Sequence, residues 1–125
     1  MNKMSYVKFD IPDKLKDKIL NTVGKIAEAR ESKIRKGMNE VTKSIERKTA
    51  KLVVMAEDVS PPEILFHIPL LCDEKNVPYA YVNTKKELGN AVRINVSTSA
   101  AAIEAPGSGN DKDLQELVNQ VKQLK

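Results

Sequence analysis

Asn39, Glu40 and Lys43 lie close together in the stretch Lys36-Gly37-Met38-Asn39-Glu40-Val41-Thr42-Lys43. An amide that donates and accepts, a carboxylate that only accepts and an ammonium that only donates can together read the edge of a nucleobase. Guanine's Watson–Crick edge carries N1–H and N2–H donors that suit a carboxylate, while its O6 and N7 accept from an ammonium. In a duplex that edge is consumed by cytosine. The three side chains therefore favour a guanine in a non-Watson–Crick pair or an unpaired loop, where sequence-specific RNA recognition is concentrated. A plainer reading of the same residues is a capped helix with a solvated Glu and Lys on its surface.

The charge around this stretch favours the first reading. Between Arg30 and Lys51 stand eight basic residues (Arg30, Lys33, Arg35, Lys36, Lys43, Arg47, Lys48 and Lys51) against three acidic ones (Glu31, Glu40 and Glu46), a net +5. The whole chain carries +4. All the net positive charge thus falls in one window, the footprint of a phosphate-binding face whose field also speeds association.

Such a group needs a rigid support. Gly37 allows a tight turn, and Asn39 is a good cap for a helix from about Glu40 to Arg47. Ahead of it, Pro12 suits the first turn of a helix carried to about Arg30 by Leu15, Ile19, Val23 and Ile26. The apolar run Lys51–Ala56 reads as a buried strand. Ser60-Pro61-Pro62-Glu63 has a capping-box pattern opening a helix to about Lys75, with a kink expected at Pro69. Val77–Val82 is a second strand, and Thr84-Lys85-Lys86-Glu87 repeats the capping box before a short helix ending near Asn90. Ala100–Glu104 is a weaker strand candidate. After the Pro106–Gly109 loop, Leu114, Leu117, Val118, Val121 and Leu124 form the apolar stripe of a last helix. Alternating strands and helices predict an α/β domain with helices on both faces of a small sheet. No internal repeat, low-complexity segment or second-domain linker interrupts residues 1–125, and a single domain of this length can bury a core without disulfides or metal.

Other chemistry is weaker. His67 and Cys72 are five residues apart, so on one helix they point about 140° apart. They read as a His within reach of Glu63 and a small buried thiol. Asp73 and Glu74 diverge as neighbours, and Glu57-Asp58 reads as acids at a helix N-terminus rather than an acid–base pair. There is neither a phosphate-cradling glycine loop nor a metal-ligand spacing. With 4% aromatic residues and no Trp, a base-stacking platform is not evident, and recognition by edges and shape fits better. A single Cys cannot form an internal disulfide. No apolar run spans a membrane and the N-terminus lacks a signal peptide's apolar core, so a cytoplasmic protein is expected.

The octapeptide from Lys36 to Lys43, with Ala56-Glu57-Asp58, Pro61-Pro62-Glu63-Ile64, His67-Ile68-Pro69-Leu70-Leu71-Cys72 and Lys85-Lys86-Glu87-Leu88-Gly89, closely resembles the kink-turn-binding family of archaeal large-subunit ribosomal proteins of the L-seven-Ae type. The likeness runs over nearly the whole chain, in the same order and with similar spacing. It implies a three-layer α/β/α sandwich around a mixed four-stranded sheet. It also implies binding to the kink-turn, a bent RNA helix–bulge–helix built on tandem sheared G·A pairs. In archaea, such proteins serve the ribosome, box C/D and H/ACA guide particles and ribonuclease P.

Residue by residue, the resemblance assigns Asn39, Glu40 and Lys43 to the sheared guanines and Arg35, Lys36 and Arg47 to the nearby phosphates. Gly37 makes the turn, and Ile64, Lys85 and the Ile94–Ser99 loop, with Val96, flank the bulged nucleotides. Met38 stands where a small residue is common, Ser60 where many relatives have an acid or amide, and Arg93 where glycine is usual. Arg93 could add a phosphate contact. Two function classes follow. One is a non-catalytic RNA-binding scaffold without cofactor or metal, monomeric when free, with RNA and the proteins of guide or ribosomal particles as partners. The other is a protein–protein regulatory module or small hydrolase on the same fold.

Overall fold

Strand β4 (Ala100–Ala105), the weakest strand candidate of the sequence, lies inside the sheet. It pairs antiparallel with β1 (Lys33–Lys36) on one side and with β2 (Leu52–Ala56) on the other, and β2 pairs parallel with β3 (Tyr79–Val82). The sheet is therefore four-stranded and mixed, in the order β1-β4-β2-β3. Small side chains at Ala100, Ala101 and Ala102 let helices approach closely, and all three are buried. The structure, a computed structural model, describes residues 6–124, with the side chain of Ile64 outside the description.

Helix α1 (Asp13–Glu28) packs on α4 (Lys85–Ala91) and α5 (Asp111–Lys122), while α2 (Met38–Glu46) packs on α3 (His67–Lys75) and on β1 and β4. Ile19, Val23 and Ile26 of α1 and Leu114, Leu117, Val118 and Val121 of α5 are buried, as their helical spacing predicts. β2 is buried at all five positions between the two helical layers. This is the α/β/α sandwich expected.

One element and two local expectations differ from the sequence reading. Strand β1 was not legible: its Lys-Ile-Arg-Lys sequence has no apolar alternation because it is a short edge strand with half-exposed faces. The cap of α2 is Gly37, at φ 90° and ψ 154°, and Asn39 sits inside the first turn. Gly37 wins because a side chain resists that φ, whereas glycine accepts it. The segment after Ser60 is not one kinked helix. A 3₁₀ turn (Pro62–Leu65) precedes α3, and no side chain caps it. Pro69 is the third residue of α3, where its missing N–H removes no bond within that helix. The Thr84 cap is realised: its hydroxyl oxygen accepts from the Glu87 N–H at 3.1 Å and donates to the Glu87 carboxylate at 3.0 Å.

Candidate nucleic-acid interface

β1 and β2 end, and β4 begins, at the same edge of the sandwich. The Gly37 N–H donates to the Ala100 carbonyl at 2.9 Å, and the Ala56 N–H to the Ser99 carbonyl at 3.0 Å. β3 ends there too, with the Glu57 N–H donating to the Val82 carbonyl at 2.9 Å. The loops leaving these strands are tied down. Lys16 of α1 bridges two of them, pairing with Glu57 at 3.0 Å and donating to Asn83 at 2.7 Å. Asp58 accepts from the Lys85 N–H at 2.8 Å and so fixes the start of α4 to the loop after β2. The two acids of Glu57-Asp58 are therefore structural, although the helix end Asp58 serves is that of α4. The buried Tyr6 hydroxyl donates to the Ala56 carbonyl and accepts from the Val59 N–H at 3.1 Å, and burial pushes its phenol above its usual range.

Between these loops lies an open depression of about 520 Å³, lined by Lys36, Gly37, Met38, Asn39, Glu40, Val59, Ser60, Lys85 and Ser99. Five candidate residues from two distant parts of the chain thus meet. Met38, Val59, Ser60 and Ser99 complete the lining, and of these the sequence marked only Met38 and Ser60 as departures and Ser99 as a loop member. Met38 is partly buried and packs against the core while also lining the depression.

Glu40 is half exposed at the mouth. Its carboxylate lies 4.0 Å from the Arg35 Nη1 and 4.0 Å from the Lys43 Nζ. Both cations stop beyond hydrogen-bond range, so the oxygens keep their lone pairs while sitting in a positive field. Arg35 is held from behind: its Nε donates to Glu104 at 3.2 Å, and Glu104 also accepts from Ser44 and Thr49, each at 2.7 Å. Burial pushes the Glu104 carboxyl up, but the hydrogen bonds from Ser44, Thr49 and Arg35 outweigh it and hold the group below the usual carboxylate range. Glu104 was missed in the sequence. Its signal was a lone acid in an otherwise apolar strand.

Arg47 is exposed at the opposite end of α2, about 12 Å along the axis from Asn39. Ile64 sits in the 3₁₀ turn, its side chain outside the described residues. The loop candidates separate: Ile94 packs partly against the core, whereas Val96 is 69% exposed. His67 does not pair with Glu63 as expected; its Nε2 meets the Thr42 hydroxyl at 2.9 Å and ties α3 to α2. Cys72 is buried.

Arg93 is turned away from the depression. Its Nε donates to Glu28 of α1 at 2.8 Å and its Nη1 to the Asn90 carbonyl at 3.1 Å. Its φ of 64° is the left-handed region that glycine occupies freely. Arg93→Gly should relieve roughly 1 kcal/mol of backbone strain while losing an exposed ion pair worth about as little. Tm should move by no more than a few degrees, and the salt dependence of RNA binding should stay as in wild type. A flatter salt slope would return Arg93 to the phosphate contacts.

A model of the ribosomal protein L7Ae/L30e/S12e/Gadd45 family matches residues 17–113. The chain belongs to this family. The matched region runs from α1 into the start of α5 and contains every residue lining the depression. The chain is also similar to a solved structure, the Giardia lamblia 15.5kD RNA binding protein, at 32% sequence identity and a TM-score of 0.87, with 100% of each chain covered. The TM-score over the full length of both chains shows that the L7Ae/L30e/S12e/Gadd45 family member described here shares its fold with that RNA-binding protein. Among the described residues, no helix is long and apolar enough to cross a membrane.

Proposed function

We propose that this protein is a non-catalytic RNA-binding scaffold that recognises kink-turns. The observation that carries the reading is the depression whose lining brings Asn39 and Glu40, on the first turn of α2, together with Lys36, Gly37 and the distant Lys85. In a sheared G·A pair the guanine uses its sugar edge, so its Watson–Crick edge is free for Glu40, with Asn39 and Lys43 supplying the complementary donors. Arg35, Lys36 and Arg47 lie in the +5 window and take phosphates; Lys85, Val96, Ile94 and Ile64 flank the bulge. Binding to the bent form and not to the extended form shifts the RNA toward the bend by that difference in affinity. The bent RNA then presents its helices, and the proteins of guide or ribosomal particles, in a fixed geometry. Ribosomal RNA, box C/D and H/ACA guide RNAs and ribonuclease P RNA are the expected classes, bound by a cytoplasmic monomer. The family match and the RNA-binding protein of the same fold support this reading.

A gel-shift comparison tests it. A kink-turn RNA should bind far more tightly than the same stem with its G·A pairs replaced by Watson–Crick pairs, and log affinity should fall against log salt by about 0.7 to 0.9 per neutralised phosphate. Equal affinity for the two RNAs would remove the site assignment. Sequencing the RNAs that co-purify with the protein from its own cells identifies the particle it serves.

A further inference from the structure

Glu104 sits at an irregularity in the sheet. Lys33 lies opposite Ala105 and Ile34 opposite Ile103, so Glu104 is an extra residue on β4 with no counterpart on β1. Such a bulge re-aims a side chain. Here the side chain, 11% exposed, reaches the Arg35 Nε with one oxygen and Ser44 and Thr49 with the other. Two hydroxyls on one oxygen fix the carboxylate from α2 and from the segment after it, leaving the other oxygen aimed at the arginine.

Arg35 therefore lies between two acids at unequal distances, Glu104 at 3.2 Å and Glu40 at 4.0 Å. An arginine released between two carboxylates closes on whichever remains, and its fork can bind both oxygens of one carboxylate. We propose that Glu104 is a positioning residue for base recognition: it anchors Arg35 by Nε and so keeps the guanidinium off Glu40. The Glu40 oxygens then stay available for the guanine N–H donors, and the two Nη groups stay available for a phosphate. This rests on the kink-turn reading above. It adds a residue that touches no RNA and sets how strictly the site discriminates.

The test is a double-mutant cycle on the full chain. Wild type, Glu104→Gln, Arg35→Ala and the double variant are each titrated with the kink-turn and with its Watson–Crick control, with Tm recorded for all four. In Glu104→Gln the ratio of the two affinities should fall by about tenfold, within the range carried by one base contact. In the Arg35→Ala background, Glu104→Gln should cause no further loss, because no guanidinium remains to close on Glu40. A purely structural role would persist in that background and overturns the proposal, as does a Glu104→Gln ratio equal to wild type. Arg35→Lys gives a second route independent of any change at Glu104: it keeps the charge but has no Nε to anchor, and its ratio should also fall. An unchanged ratio in Arg35→Lys counts against the proposal. A wild type that fails to discriminate at all overturns the kink-turn reading itself, a result distinct from a discriminating wild type with an unaffected Glu104→Gln.

Discussion

Glu40→Gln should lose about 1–3 kcal/mol of preference for the kink-turn over its Watson–Crick control, the usual worth of a good bidentate base contact. The side chain is half exposed and its nearest cations stand at 4.0 Å, so the change removes little that holds the fold together. The amide puts a donor where guanine already offers donors. Lys48→Ala is the comparison. Lys48 lies in the same basic window but beyond the end of α2, with no role in the depression, so it should weaken binding slightly for all RNAs alike. Parallel titrations of both variants with the two RNAs decide the matter. A Glu40→Gln protein that discriminates like wild type, beside a Lys48→Ala protein that does not, would show that the carboxylate reads no base.

Gly89→Ala should damage both the loop and the fold. A Cβ at Gly89 would lie 2.2 Å from the Val96 carbonyl oxygen and 3.0 Å from the Ser97 Cα, and the obstruction is backbone that cannot swing aside. The loop is pinned at this place, with the Ile94 N–H donating to the Gly89 carbonyl and the Thr98 N–H to the Lys85 carbonyl, each at 3.1 Å. Overpacking of this kind costs about 2 kcal/mol, which for a chain of this size is a drop of about 8 °C in Tm. Displacing the loop moves Val96 and Ser99 with it, so kink-turn affinity should fall below what the loss of folded fraction explains. Thermal unfolding and RNA titration at a temperature where the variant remains folded separate the two effects. An Ala variant with wild-type Tm and wild-type affinity would mean that the loop does not rest on α4.

How far the residues alone carried this picture differs between elements. The helices α1 and α5 and the buried strand β2 were legible because their apolar spacing or apolar run reports burial directly. The Thr84 cap was legible because it is local, needing only residues three apart. Asn39, Glu40 and Lys43 were legible as hydrogen-bonding types close together on one helix, and that they read a base is the proposal made for them. β1 was hidden because an edge strand made of Lys, Ile and Arg carries no alternation. The cap of α2 was misjudged because cap preference favours Asn39, whereas the entry of the chain from β1 demands the φ of Gly37.

The sequence by itself determined the α/β class, the basic window and which residues are candidates for recognition, all of which depend on side-chain type and short-range spacing. Only the tertiary structure decided which of them lie together. Lys85 joins Lys36, Asn39 and Glu40 because β1, β2 and β3 end at one edge of the sheet. Arg93 leaves the group because its backbone turns the guanidinium onto Glu28 of α1. Glu104 meets Arg35, 69 residues away in the chain, at the place where β4 carries one extra residue. Pairings of that range are set by strand register and by which faces pack, and neither is encoded in any short window of residues.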